Sequence, residues 1–192
     1  MAVLLSISGQ LGEPMRYFLY IATIGYLSWI GSEVAELLAN GYTPLVFVLT
    51  AIYHLLASIG IWGLHAAQMP GAVKLSSIGA SLISLSFLVL VYFPIGAMQA
   101  GLTPAEYAYA NPFFQLVGMI NIAGFIVFGV AIYRAGVFPK WAGPVIAIGN
   151  ILFAVLLATG GGRPLNFFSI GLAMIILWMI KSALSQEHIP AA

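Results

Sequence analysis

The chain has 192 residues, 62% of them hydrophobic and 6% charged, with six Lys or Arg, five Glu, no Asp and a formal net charge of +1. A soluble domain carries about a quarter charged residues, so this composition excludes an aqueous catalytic domain and points to a lipid bilayer. With no Cys, disulfides, thiolate nucleophiles and Cys-ligated centres are excluded, and the near-neutral balance offers no basic face for nucleic acid.

Residues 1–10 are apolar but lack a basic n-region and a small-residue cleavage site, so no removable signal peptide is read there and insertion proceeds through the first span. At about 20 apolar residues per crossing, the length suits about six spans forming one domain over residues 1–192. Pro14, Pro44, Pro70, Pro112, Pro139 and Pro164 each precede an apolar run, where a fixed φ and a missing N–H are tolerated in the first helical turn. The expected spans are 17–38, 45–67, 75–98, 113–133, 141–158 and 165–184. None shows the period-2 alternation of a barrel strand, so the expected class is all-α, a polytopic membrane protein with six transmembrane helices. Arg16, Lys74, Arg134, Lys140 and Lys181 fall on one side of that layout and Arg163 on the other, which by the positive-inside rule makes both termini cytoplasmic.

In the first span Tyr26, Trp29, Glu33 and Glu36 follow the i, i+3, i+7, i+10 stripe and share a face. A carboxyl group inside a span costs a few kcal/mol, so Glu33 needs a partner, a wet cavity or a purpose. The second span carries Tyr53, His54 and His65. If the first two helices form a hairpin, Glu33 and His54 differ in depth by about 6 Å, within reach of a hydrogen-bonded pair. The sharp expectation is a pocket of Tyr26, Trp29, Glu33, Glu36, Tyr53 and His54 in the outer half of the bundle. The plain alternative is that Glu36 reaches the interface while Glu33 pairs with Arg163 or crosses as the neutral acid.

His54 and His65 are three helical turns apart, about 16 Å along the axis, and cannot share a metal. A bis-His haem lacks a second intramembrane ligand, since His188 lies in the tail. Either histidine could hold a tetrapyrrole of haem or chlorophyll type alone, or serve as a hydrogen-bonded structural residue. No metal site and no cofactor beyond that alternative are expected.

Ser77, Ser81 and Ser84 give the third span a small-residue side, and Pro94 should kink its outer end. In the connector that follows, Thr103, Pro104 and Glu106 spell a capping box, predicting a short interfacial helix with Tyr107 and Tyr109. Such a segment is either a solvated loop with one helical turn or a lid over an outward-facing cavity. Gly118, Asn121 and Gly124 recur on the fourth span, and Asn121 and Asn150 are level across the next hairpin, an arrangement suited to interhelical hydrogen bonding worth about 0.6 to 2 kcal/mol. The turns at 68–74 and 134–140 are similar enough to suggest a hairpin repeat. No His-Glu-x-x-His, phosphate-binding loop or Gly-x-Ser-x-Gly is present.

The stretch Tyr133, Arg134, Ala135, Gly136, Val137, Phe138, Pro139, Lys140, Trp141, Ala142, Gly143 resembles the inner turn of small six-helix bacterial inner-membrane proteins of unknown function. There a helix ends in a basic residue and a Pro, basic, Trp sequence opens the next. The resemblance implies a bacterial plasma membrane and carries no activity or site residue. The leading expectation is a non-enzymatic structural or accessory subunit of a larger membrane complex, with membrane-protein partners or self-association. The alternatives are a small-solute or proton-linked carrier using Glu33 and His54, and a tetrapyrrole binder.

Overall fold

The computed structural model describes residues 13–160 and 162–185. The reading of residues 1–10 and the placement of His188 lie outside them. A backbone in lipid must satisfy its own N–H and C=O groups, and this chain does so with helices alone among the described residues. They are α1 (Glu13–Ala39), α2 (Pro44–Leu90), α3 (Tyr92–Ala100), α4 (Pro104–Ala110), α5 (Pro112–Ala135), α6 (Ala142–Ala158) and α7 (Arg163–Ser185). Five stretches are long and apolar enough to cross a membrane: Met15–Ala39, Pro44–Met69, Gly71–Ala100, Pro112–Ala135 and Arg163–Ser185. The chain is therefore a multi-pass membrane protein. Helix α6 is apolar but has 17 residues, which at 1.5 Å each reach about 26 Å.

The expected turn over 68–74 is present but contracted. Helix α2 runs through it with one non-helical residue, Ala72 at φ −152° and ψ 39°. Pro70 has no N–H for the carbonyl four residues back, so the ladder is weakest here. The chain reverses at this point: His65 Nδ1 lies 2.9 Å from Ser76 Oγ, although residues eleven apart on a straight helix would be separated by about 16 Å. Trp62 Nε1 donates to Ser84 Oγ at 3.3 Å, a second tie between the two arms. Pro94 acts more gently. It withholds the N–H that Leu90 would receive, so α2 ends there, but Val91 keeps helical angles and the path continues into α3.

The other inner turn is built differently. Gly136, at φ 66°, caps α5 in the left-handed region, and the chain re-enters helix where Ala142 N–H meets Pro139 O at 2.9 Å. The two turns thus share composition without sharing geometry, which weakens the repeat suggested by their residues.

The helices pack in a ring: α7 beside α1, α1 against the first arm of α2, the second arm against α5, and α5 against α6, which touches α7. Small residues set these approaches, as membrane helices lack a hydrophobic drive toward each other. Gly60 sits on Ala22, Gly79 would place a Cβ 2.7 Å from the Phe128 nitrogen, and Gly129 faces Gly143. Leu19, Ile83, Phe128, Ile132, Met179 and Ile180 fill the interior. Leu27, Leu55, Leu85, Ile148 and Met174 stay exposed outside, a surface suited to lipid. One end of the ring carries the Ala72 reversal and the Gly136 turn. The opposite end carries the connectors 40–43, 101–103 and 159–162.

Candidate functional site

Towards the connector end the side chains cease to interdigitate and a cavity of about 430 Å³ opens between the helices. The 3.6-residue period of α1 delivers Trp29, Ser32, Glu33 and Glu36 to its wall, while α2 contributes Thr50, Tyr53, His54 and Phe87.

Trp29 lies flat on Tyr53, with ring centroids 4.7 Å apart and planes at 17°. Tyr26 supports both rings from behind and is buried rather than lining the cavity. Phe153 of α6 meets the Trp29 ring edge-on at 5.8 Å. The indole Nε1 donates to Glu33 Oε1 at 2.8 Å, one helical turn along. Asn166 of α7 donates its Nδ2 to Glu33 Oε2, also at 2.8 Å. Each carboxyl oxygen thus holds one donor, and Glu33 is fixed between α1 and α7.

The feasible Glu33–His54 hydrogen bond does not form. Its competitors stand closer to the carboxyl group, while the His54 ring is held between Tyr53 at 5.0 Å and Phe87 at 5.4 Å. Among the described residues no side chain pairs with the buried His54 Nδ1; its nearest polar neighbour is the Thr50 backbone, one turn back. Nor does Arg163 reach Glu33; its Nη2 faces Asn40 Oδ1 at 3.4 Å. Glu36 lies one turn further along α1, beside Tyr42 in the connector. Burial, together with the Glu36 carboxyl group that Tyr42 contacts, pushes that phenol up from its ordinary range.

Asn121 and Asn150 both line the cavity, yet they bond elsewhere. Asn121 Nδ2 donates to Ser86 Oγ at 2.7 Å, tying α5 to α2. Asn150 Nδ2 donates to Ile146 O of its own helix at 2.8 Å. Helices α5 and α6 make their close approach at Gly129 and Gly143, and further out both asparagines face the cavity. His65 is off the cavity altogether, with its Nδ1 at Ser76 and its ring edge-on to Trp62 at 5.6 Å.

Helix α4 closes part of the connector end, with Pro104, Ala105, Ala108 and Tyr109 lining the cavity. Its capping box forms: Glu106 N–H donates to Thr103 Oγ1 at 3.3 Å and Thr103 N–H donates to Glu106 Oε2 at 2.8 Å. The Thr103 backbone N–H and hydroxyl hold the exposed Glu106 carboxyl below its usual range. Tyr109 OH donates to Ala158 O at 2.8 Å, linking α4 to the end of α6. Tyr107 packs between Phe93 and Phe114.

Sequence reasoning did not find Asn166, Ser86, Tyr42 or the aromatic wall. Asn166 carried a usable signal, being a polar residue on an apolar helix one turn beyond Arg163. Among the described residues no group of three or more His, Asp or Glu stands close enough to hold a metal. Comparison of the chain with protein-family models, curated proteins and solved structures gives no match.

Proposed function

We propose that this protein binds a small solute in the connector-end cavity and carries it across the membrane. The observation that carries this reading is the cavity itself: about 430 Å³, with Glu33 and Glu36 at one end and Phe87, Phe93, Phe114 and Phe153 along its walls. That volume lies within the range of small-molecule sites, and a mostly apolar lining with a few convergent polar groups is their usual make-up. Carriage is supported by the asymmetry of the bundle, hollow at one end and closely packed at the other, and by the helix interruption before Pro94, since Leu90 and Pro94 border the cavity.

In this reading α6 is a sixth span, and both termini face the cytoplasm because five of the six basic residues lie at the turn end. Helix α4 then rests at the outer interface. The resemblance of the 133–143 turn supports a bacterial inner membrane. A cysteine-free chain makes the orientation easy to test: Thr103→Cys should label from outside intact cells, and Ser185→Cys only after permeabilisation.

The decisive test of the solute site is native mass measurement after purification in mild detergent, with uptake into proteoliposomes for any solute found. Wild-type protein should carry a small molecule that Gly118→Trp and Ala154→Trp exclude by filling the cavity. An empty wild-type protein, with no library compound displaced or taken up, would overturn the proposal. The accessory-subunit reading draws on the outward face of α7, where Gly171 has nothing within 4 Å and Phe167, Met174 and Trp178 are exposed. The same mass measurement would reveal a retained protein partner. A tetrapyrrole on His54 would give a visible absorption band lost in His54→Ala.

A further inference from the structure

The chemistry of the solute can be narrowed by following where the cavity's own hydrogen atoms go. Ser32 donates to Trp29 O, and Thr50 to Val46 O. Trp29 and Asn166 donate to Glu33. Asn121 and Asn150 direct their amide nitrogens to Ser86 and Ile146. At the connector end, Gln115 and Tyr109 donate to Ala108 O and Ala158 O. Apart from the Tyr53 hydroxyl and the second N–H of each amide, these side-chain donors are directed to the protein itself.

Acceptors are what remain. An amide whose nitrogen is engaged can present its oxygen, so Asn121 and Asn150 add carbonyl lone pairs to a cavity that Glu33 and Glu36 also line. No Lys or Arg lines the cavity. A solute with an anionic head would face Glu33 and Glu36 with no Lys or Arg to offset them, and its desolvation would go largely uncompensated. A solute with N–H donors and a positive charge would meet both needs of the acidic end, and aromatic rings favour a cation over other heads.

The remaining wall constrains the other end of the solute. Trp29, Phe87, Phe93, Phe114 and Phe153 offer aromatic surface in a cavity nearly three times the size of one that holds a benzene, about 150 Å³. A bare alkali ion would leave this surface without a partner.

We infer that the carried solute is an organic ammonium ion, a protonated amine with an apolar body, its N–H groups directed at Glu33 and Glu36 and its body along the aromatic wall. This rests on the solute-site reading above and adds the chemical class to it. The test is binding to the purified full chain of three compounds that share one body and differ in head: 4-phenylbutylamine, 4-phenylbutanol and 4-phenylbutyrate.

The amine should bind about tenfold or more tighter than the alcohol, as expected for hydrogen bonds to a charged acceptor, with the carboxylate weakest. Glu36→Gln should remove most of that preference by weakening the amine far more than the alcohol. Glu33→Gln should do the same wherever it folds, and Glu36→Gln serves alone if it does not, because Glu36 shares Asn166 but takes no part in the Trp29 bond that helps to fix Glu33. Equal binding of amine and alcohol, or preference for the carboxylate, would overturn the inference and leave a solute site standing. So would stabilisation by sodium or potassium equal to that by the amine. If none of the three binds, the inference fails, and the solute-site reading falls with it only when native mass measurement also finds the cavity empty.

Discussion

The two ends of the bundle are made from the same residue types and put them to opposite use. At the turn end, glycines mark backbone contact: Gly71 abuts Ala135, Gly63 would place a Cβ 2.9 Å from Leu19, and Gly129 faces Gly143. At the connector end Gly96 meets only the tip of the Tyr107 side chain, and Gly118, on the cavity wall, has nothing within 4 Å. Polar residues divide in the same way. Ser76 and Ser84 tie the arms of α2 to each other, whereas Asn121, Asn150 and Glu33 line a cavity. A small or polar residue in a membrane helix therefore carries no fixed meaning; what faces it across the gap decides whether it closes a seam or lines a space.

Glycine substitutions should break this contrast most sharply. Gly60→Val drives a branched side chain into the Ala22 backbone and should cost about 3 kcal/mol or more, read as a lowered unfolding midpoint in detergent. Gly118→Val should change stability by less than about 1 kcal/mol, since open space offsets only a propensity difference. Equal losses at the two positions would remove the distinction between the ends.

Next in size is the clamp on Glu33. Asn166→Leu takes away one of its two donors and should cost about 1 to 3 kcal/mol. A double-mutant cycle with Glu33→Gln should give a non-zero coupling energy, and additive losses would show that the bond between α1 and α7 contributes nothing. His65→Ala, which removes the Ser76 tie at the turn end, should cost about 1 kcal/mol without altering solute binding.

The smallest effects belong to α4. Tyr109→Phe should speed hydrogen exchange within α4 and leave global unfolding unchanged, because only the bond to Ala158 is lost. The Glu106 carboxyl is held below its ordinary value by Thr103, so its contribution is complete at pH above that ordinary value. It is lost as pH falls through the lower folded-state value. Protection of α4 should accordingly be flat from neutral pH down to the glutamate range and fall only in acid, and Glu106→Gln, which cannot titrate, should abolish that fall.

Local signals in the sequence were readable because they depend on neighbours along one helix. The stripe of Trp29, Glu33 and Glu36, the Thr103–Glu106 box and the Pro94 interruption all belong to this kind. Partner choice across helices was not readable from depth alone. Depth allowed Glu33 to meet His54 and Asn121 to meet Asn150, but the rotation of each helix directs Glu33 to Asn166 and Asn121 to Ser86. The reversal between the second and third spans was readable from Pro70, but its form was not: the chain turns at the single non-helical residue Ala72 rather than over a seven-residue connector.

The central claim is that the connector end is hollow and the turn end is not. Because the chain has no cysteine of its own, single substitutions can report on both ends through labelling by a small water-soluble thiol reagent in membranes. Gly118→Cys and Ala154→Cys border the cavity, whereas Ala80 and Ala183 are buried at the turn end. Rapid labelling of the first two, slowed by a bound amine, with no labelling of Ala80→Cys or Ala183→Cys, is the result expected. Labelling that is equal at the two ends, or absent from both, would contradict it.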